Sequence, residues 1–446
     1  MKRRVLQAAV GVGVIGWLWT AAWCPTALAE EPSTPSVLTL AEAVRLGLSH
    51  QPSLMAAKGT TQAQLALVGV SRSNLLPQVN FNSSYLLRTN NPSFNSTFNS
   101  TDSSSAASPV VNNALSLQQL LFDFGKTGAE VESAKENLKG SQLNEENSRQ
   151  TVVVNVKITY YALLATRHLE QVQEETVRQA KEHLDQTQGF YQAGTRTKFD
   201  VTNAEVTLTN AQLDLIRARN AVEVARVTLA NAMGVPDQPI GNLEELLAFE
   251  KFEISEEQAL KEGLANRPDL QSLAAQRLAA EASVRSAQRT HFPVISGVAD
   301  FNYGNQRSTD LGYHFVHNWD VGANLTLPIF SGFLIQSQVA QANANLVVVN
   351  ANEESLRQDI ILAIHAAYST LVETEERVKT AEVVVRQAQE NLDLANGRFQ
   401  AGVGTSIEQT DAQVTLADAK TSQIQALFDY RVAAAGLEKA MGRPVP

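Results

Sequence analysis

Between Val201 and Ala232 the apolar residues fall at Val201, Ala204, Leu208, Ala211, Leu215, Ala218, Val222, Ala225, Leu229 and Ala232, spaced alternately three and four apart. A sustained 3.5-residue repeat predicts a helix in a left-handed coiled coil. Every second seam position is alanine, which lets a neighbouring backbone approach closely. A second pattern has period two: Val79, Phe81, Ser83, Tyr85 and Leu87 alternate with Asn80, Asn82, Ser84, Leu86 and Arg88. That alternation predicts a strand with one greasier face over 78–88, and Ile295, Gly297, Ala299, Phe301 and Tyr303 predict another over 294–304. Returning strands are expected over 113–122 and 315–328. Gly125–Gln188 contains no proline, and a helix of that span is on the order of 100 Å long.

These patterns occur twice. Gly189–Leu213 (GFYQAGTRTKFDVTNAEVTLTNAQL) returns as Gly397–Thr421 (GRFQAGVGTSIEQTDAQVTLADAKT), 208 residues on, with 11 of 25 positions identical. Ala43–Leu54 returns as Ala259–Leu270 at an offset of 216, and Pro77 as Pro293 at the same offset. The first strand–strand loop is therefore eight residues longer than the second, as a solvent loop tolerates. The Asn/Ser-rich tract Thr89–Asn113 is read as that loop, and Gly304–His314 as its counterpart. The small layer of the coiled-coil seam persists at Ala412, Ala419, Ala426, Ala433 and Ala440, while Gln409, Gln423 and Tyr430 interrupt the large layer. Residues 30–236 form the first structural repeat, with its long helix over 125–190 and its return helix over 198–232. A connecting, equatorial segment covers 237–258. The second repeat covers 259–446, with helices over 332–400 and 405–441.

Four strands of about ten residues suit a tilted bilayer crossing, but four cannot close a barrel, and an open edge in lipid leaves backbone groups unsatisfied. Lipid-facing strands therefore require oligomerisation; three copies give twelve strands, a count compatible with an aqueous lumen. Residues 1–29 read as a signal peptide, with Lys2, Arg3 and Arg4, an apolar run and Ala27-Leu28-Ala29. The single cysteine, Cys24, would leave with it; a lipidated Cys24 is the rival reading, and Trp23 is too large for the position before such a cysteine. The formal charge of −10, with no basic block, excludes nucleic acid as a partner. No G-x-S-x-G, P-loop or H-E-x-x-H motif occurs, so no catalytic, cofactor or metal site is expected and the protein is not read as an enzyme. Isolated His and Asp on the helices are read as surface residues. His314 and His317 are read as loop or interfacial residues, and Trp319 and Tyr303 suit an aromatic belt.

Taken together, the chain resembles the TolC family of outer-membrane efflux channels over essentially all of its mature length. The resemblance rests on the paired N-x-P-x-L-like helix ends at Ala43–Leu54 and Ala259–Leu270, and on the strand-to-helix elements Gln119–Gly125 and Leu327–Gly332. It rests also on two Phe-x-x-Gly-x-x-T-x-x-D tips, Tyr191–Asp200 and Phe399–Glu408. It implies a mainly α protein with membrane β: an internally duplicated protomer of a homotrimer, its 12-stranded β-barrel in outer-membrane lipid continued by a long periplasmic α-helical coiled-coil barrel. Such a protein would be a passive exit duct of a tripartite efflux or type I secretion system. Its partners would be a periplasmic adaptor (membrane fusion protein) and an inner-membrane pump of the RND, ABC or MFS class. The rival from another class is an exported trimeric coiled-coil structural or adhesive protein without conductance.

The candidate residues lie at the two tips. Asp200, Glu408 and Asp411 would become rings of negative charge at the periplasmic entrance under three-fold symmetry. Carboxylates at a helix start also favour its positive end on structural grounds alone. Glu408 and Asp411, three apart, share a helix face and make the better ring. Ala193-Gly194 and Ala401-Gly402 are the expected adaptor-docking turns, with both glycines at positive φ. Arg196 and Lys198 are candidates for a gate latch; Gly404 stands where the second tip would carry the equivalent arginine, so a latch could come from one turn only.

Overall fold

The computed structural model describes residues 37–88, 108–308 and 312–443. The expected signal peptide with Cys24, and most of the Asn/Ser-rich tract, lie outside them. Each half begins with a broken helix. Helix α1 (Leu40–His50) starts on Thr39, whose hydroxyl accepts the Glu42 N–H at 3.2 Å. It ends because Pro52 forces Gln51 into an extended conformation (φ −66°, ψ 120°), and α2 (Pro52–Ser73) follows with proline in its first turn.

Strands β1 (Gln78–Arg88) and β2 (Ser108–Phe122) form an antiparallel pair. The long helix α3 (Lys126–Gln192) and the return helix α4 (Lys198–Ala232) complete the half. The second half repeats the order as α5 (Glu256–Asn266), α6 (Pro268–Arg289), β3 (Val294–Ser308), β4 (Gly312–Thr326), α7 (Leu334–Gln400) and α8 (Ser406–Ala440). Both long helices have 67 residues and both return helices 35, so each hairpin reaches about 100 Å.

The strands make one open antiparallel sheet in the order β1-β2-β3-β4. On one face Val79, Phe81, Tyr85, Leu87, Trp319, Val321 and Leu325 are each at least 60% exposed. The residues alternating with them are mostly Asn, Ser and Gln, with Asp300 directly opposite Asp320. The sequence pattern starts the second strand near 113 and places a loop at Gly304–His314. The structure instead starts β2 at Ser108 and carries β3 and β4 through most of that loop. Backbone pairing, not side-chain alternation, holds this extension. Asn305 completes it: its Oδ1 accepts the Val111 N–H at 2.6 Å and its Nδ2 donates to the Pro109 carbonyl at 2.7 Å.

The two halves join through β2 against β3 and through α3 against α6 and α8. Among the described residues, the matching flanks of β4 and α7, and the outer sides of β1 and α2, have no comparable partner within the chain. Leu65 and Val70 on α2 and Leu334, Val347 and Leu362 on α7 are exposed there. Within each hairpin the coiled-coil seam is covered: Ala204, Ala211, Val222 and Leu229 are buried in the first, and all five alanines of the small layer in the second.

The main cores lie at mid-height, where the 237–258 segment crosses the helices. The hydroxyl of Tyr160, fully buried, donates toward the carbonyls of Leu38 (2.8 Å) and Glu244 (3.2 Å). Tyr368 is its equivalent by sequence, but in the second half the corresponding clamp comes from the return helix. Tyr430 donates to the Glu250 carbonyl and accepts the Phe252 N–H, both at 2.8 Å. Tyr160→Phe should therefore cost about 1 kcal/mol, read as a lowered melting temperature of the detergent-solubilised protein. Tyr368→Phe should cost little, because its hydroxyl makes no hydrogen bond among the described residues.

Candidate functional site

The two hairpin ends of one chain lie side by side. In the first, α3 closes on Ala193, Gly194 takes φ 75°, and Thr195 returns its N–H and its hydroxyl to the Phe190 carbonyl at 3.0 and 2.9 Å. In the second, Gly402 takes φ 76°, and the N–H groups of Val403 and Gly404 converge on the Arg398 carbonyl at 3.1 and 2.9 Å. Left-handed φ at Gly194 and Gly402 is available to glycine without steric cost. Ala193, Gly194, Ala401 and Gly402 are all exposed, and Tyr191, Phe199, Val403 and Ile407 add apolar surface beside them.

The two ends are joined by the residues that make them unequal. Arg196 and Gly404 occupy equivalent positions, and they meet: Arg196 Nη2 donates to the Gly404 carbonyl at 3.0 Å. A side chain at Gly404 would collide with the second turn, since a Cβ there would lie 2.9 Å from the Phe399 backbone nitrogen. The Arg196 guanidinium also sits 4.8 Å from the centre of the Phe399 ring, a cation–π contact. Phe399 is buried, with Phe190 and His183 edge-on to it at 5.7 and 5.5 Å. Its equivalent in the first tip, Tyr191, is 45% exposed, which gives the Tyr-for-Phe difference between the two motifs a physical reason. Arg196 is thus engaged within its own chain, and no carboxylate lies within ion-pair distance of it or of the exposed Lys198 among the described residues.

The three candidate carboxylates divide. Asp200 accepts the backbone N–H of Thr197 at 3.0 Å and its hydroxyl at 2.8 Å, while its own N–H returns to the Thr197 hydroxyl. This reciprocal capping box holds the carboxyl below the usual range through the Thr197 backbone and hydroxyl donors. Glu408 is exposed and 3.3 Å from Arg398, an ion pair of small net value. Asp411 is exposed, and its side chain makes no hydrogen bond or ion pair among the described residues.

The sequence reading missed one part of this region. His183, read by default as a surface residue, is 1% exposed and lies between the two hairpins, its Nε2 2.9 Å from the Ser406 hydroxyl. Gln409 lies alongside, donating from Nε2 to Asn396 Oδ1 at 2.8 Å. The available signal was the polar residue interrupting the large seam layer at 409, because a buried amide requires partners. Among the described residues no group of His, Cys, Asp and Glu could hold a metal ion. No described helix is long and apolar enough to cross a membrane.

The model of the family described as "Outer membrane efflux protein" matches residues 43–235 and 259–443, one segment for each structural repeat. The chain is 26% identical over 410 residues to the outer membrane protein TolC of Salmonella enteritidis, covering 88% of this chain and 79% of that one. It is also 26% identical over 322 residues to the pyoverdine export outer membrane protein OpmQ of Pseudomonas aeruginosa, covering 72% and 67%. Among solved structures, the CmeC outer membrane channel of Campylobacter jejuni superimposes with a TM-score of 0.77 at 20% identity, over 90% of this chain and 85% of that one. The outer membrane protein VceC of Vibrio cholerae does so with a TM-score of 0.76 at 17% identity, over 90% and 96%.

Proposed function

The chain belongs to the outer membrane efflux protein family, and from that premise we propose that three copies assemble into a passive exit duct through which a partner pump discharges its cargo. It is an outer-membrane efflux protein with a large periplasmic portion. The observation that carries the proposal is the pair of unsatisfied flanks. β2 on β3 and α3 on α6 show how one repeat docks on the other. The free edges of β4 and α7 on one side, and of β1 and α2 on the other, present the same surfaces for a second copy. Repeating that junction from chain to chain turns an open sheet into a closed one, as a membrane requires. Twelve strands leave room for an aqueous lumen, lined by the polar row and clothed outside by the apolar one. In this reading the tips are the periplasmic entrance, the exposed Ala-Gly turns receive a periplasmic adaptor, and the inner-membrane pump supplies the energy.

Purified protein should give stable conductance steps in a planar bilayer and the mass of a trimer in detergent. A chain that reached the outer membrane as a trimer without conducting would favour a structural or adhesive role. The entrance charges make a finer test. Glu408→Ala/Asp411→Ala should reduce cation preference severalfold, because Asp411 is exposed and has no ion-pair partner among the described residues and Glu408 is held only by an exposed, salt-screened pair with Arg398. Asp200→Ala should instead cost about 1 kcal/mol of local helix stability with little change in selectivity. Unchanged selectivity in the double variant would overturn the acidic-ring assignment.

A further inference from the structure

We propose that His183 is a pH-sensitive catch between the two hairpin ends, whose protonation loosens their contact and favours opening of the tip. The contact is built from α3 (His183, Phe190), the first turn (Arg196), α7 (Asn396, Phe399) and α8 (Ser406, Gln409). His183 is closed off from solvent, and only one ring nitrogen is partnered, by Ser406 at 2.9 Å. Its Nδ1 and the Oε1 of Gln409 are both buried and both without a hydrogen bond. Two orphaned polar atoms in one buried cluster mark a contact held with little reserve, since a buried polar group without a partner has lost its hydration for nothing in return.

Protonation makes both ring nitrogens donors and places a full positive charge in this cluster. The groups facing the ring decide how well that charge is tolerated. Ser406 and Gln409 on α8 and Asn396 and Phe399 on α7 carry no charge. Arg196, which lies over the Phe399 ring at 4.8 Å, has the same sign. Asp200 at the start of α4 has the opposite sign but is committed to Thr197. The Arg398–Glu408 pair stands at the surface, where solvent screens both charges. Burial dominates; the Gln409 side chain, as an acceptor for the protonated ring, and the Asp200 charge offset it in part, Arg196 adds to it, and the imidazole binds its proton below the ordinary histidine range.

The direction of the effect follows. With a lowered pKa in the packed tip and an ordinary value of about 6.5 once solvated, the packed contact is fully stable above about 6.5. It loses stability as pH falls through the lowered value. Acid thus favours whichever state exposes the ring.

The test uses the full-length protein in detergent. Hydrogen–deuterium exchange of peptides spanning residues 180–195 and 396–412 is compared at pH 7.5 and 5, after correction for the intrinsic exchange rate. The wild type should exchange at least about tenfold faster at pH 5, a coupling of about 1.4 kcal/mol, and His183→Phe should abolish the difference. His183→Gln serves the same purpose should the phenylalanine variant misfold. An acid-induced change that persists in either folded variant, or its absence from the wild type, overturns the catch. That it acts on a gate rests on the tips being the entrance. In bilayers, wild-type open probability should rise over the same pH interval and the variants' should not. Because the exchange measurement does not require conduction, failure of the duct reading is distinguishable from failure of the catch.

Discussion

Chains carrying Ser84→Cys together with Asn324→Cys are expected to migrate as a covalent trimer on denaturing gels after mild oxidation. Either single variant, or Ser84→Cys with Gly322→Cys, should not. The expectation comes from the junction inside one chain. There Ser116 of β2 stands opposite Asp300 of β3, and Leu115 opposite Phe301. Moving β2 forward by 208 residues gives β4, and moving β3 back by 216 gives β1. The same junction between chains then sets Asn324 opposite Ser84, and Ala323 opposite Tyr85. The irregularity in the internal junction, between Leu120 and Phe122, maps beyond the end of β4 at Thr326, so the transferred register is unbroken over the strand. Directly opposed residues have Cα atoms about 4.5–5.5 Å apart, within disulfide reach, whereas a two-residue displacement is about 7–8 Å or more. The background is clean where the expected signal peptide is removed, because the chain's single cysteine, Cys24, lies within it. Cross-linking by the displaced pair instead would shift the register, and with it the order in which polar residues line the lumen.

How much of this was legible before any coordinates depended on whether a feature was local. The alanine seam of Val201–Ala232 could be read because a coiled coil repeats one demand every 3.5 residues. The alternation from Val79 to Leu87 could be read because one face of that strand is apolar at every position but Ser83. The repeat itself made an open, edge-exposed unit apparent, and the family resemblance supplied the rest of the architecture. What could not be read was set by contacts distant in sequence. The early start of β2 follows from its register against β1, which pairs Ser108–Val111 with Tyr85–Arg88, not from Ser108-Pro109 or the Asn112-Asn113 pair, which lack strand propensity. Burial of His183 depends on α8 crossing α3, and nothing within a few residues of 183 announces it. At the tips, Arg196 and Gly404 are visible as a difference between copies, but only folding brings the two positions together. Asp200 shows the reverse case: the spacing from Thr197 to Asp200 is a local cap signal, and the structure has the cap.

Gly402 and Gly404 stand two residues apart and should fail in opposite ways when substituted. Gly402 and its counterpart Gly194 are exposed, and a Cβ at either position would meet nothing within 4 Å. Arginine there strains a left-handed backbone by roughly 1–2 kcal/mol but displaces no neighbour. Gly194→Arg/Gly402→Arg should therefore assemble and conduct like the wild type in a bilayer. In cells it should lose pump-dependent resistance almost to the level of a deletion strain, because the bulk blocks only what docks from outside. Gly404 is enclosed: an added Cβ would press on Phe399 N at 2.9 Å and on Arg398 C and Cβ at 3.0 Å. The collision involves backbone, so the turn must move, carrying with it the carbonyl that Arg196 holds and the aromatic ring it covers. Gly404→Val should thus alter the channel alone, raising open probability in bilayers with no adaptor present, and Arg196→Ala should do so more weakly. If the Gly194/Gly402 double variant conducts normally and still supports efflux, the turns are not the docking surface. If Gly404→Val leaves conductance unchanged, the contact between the two hairpin ends does not restrain the entrance.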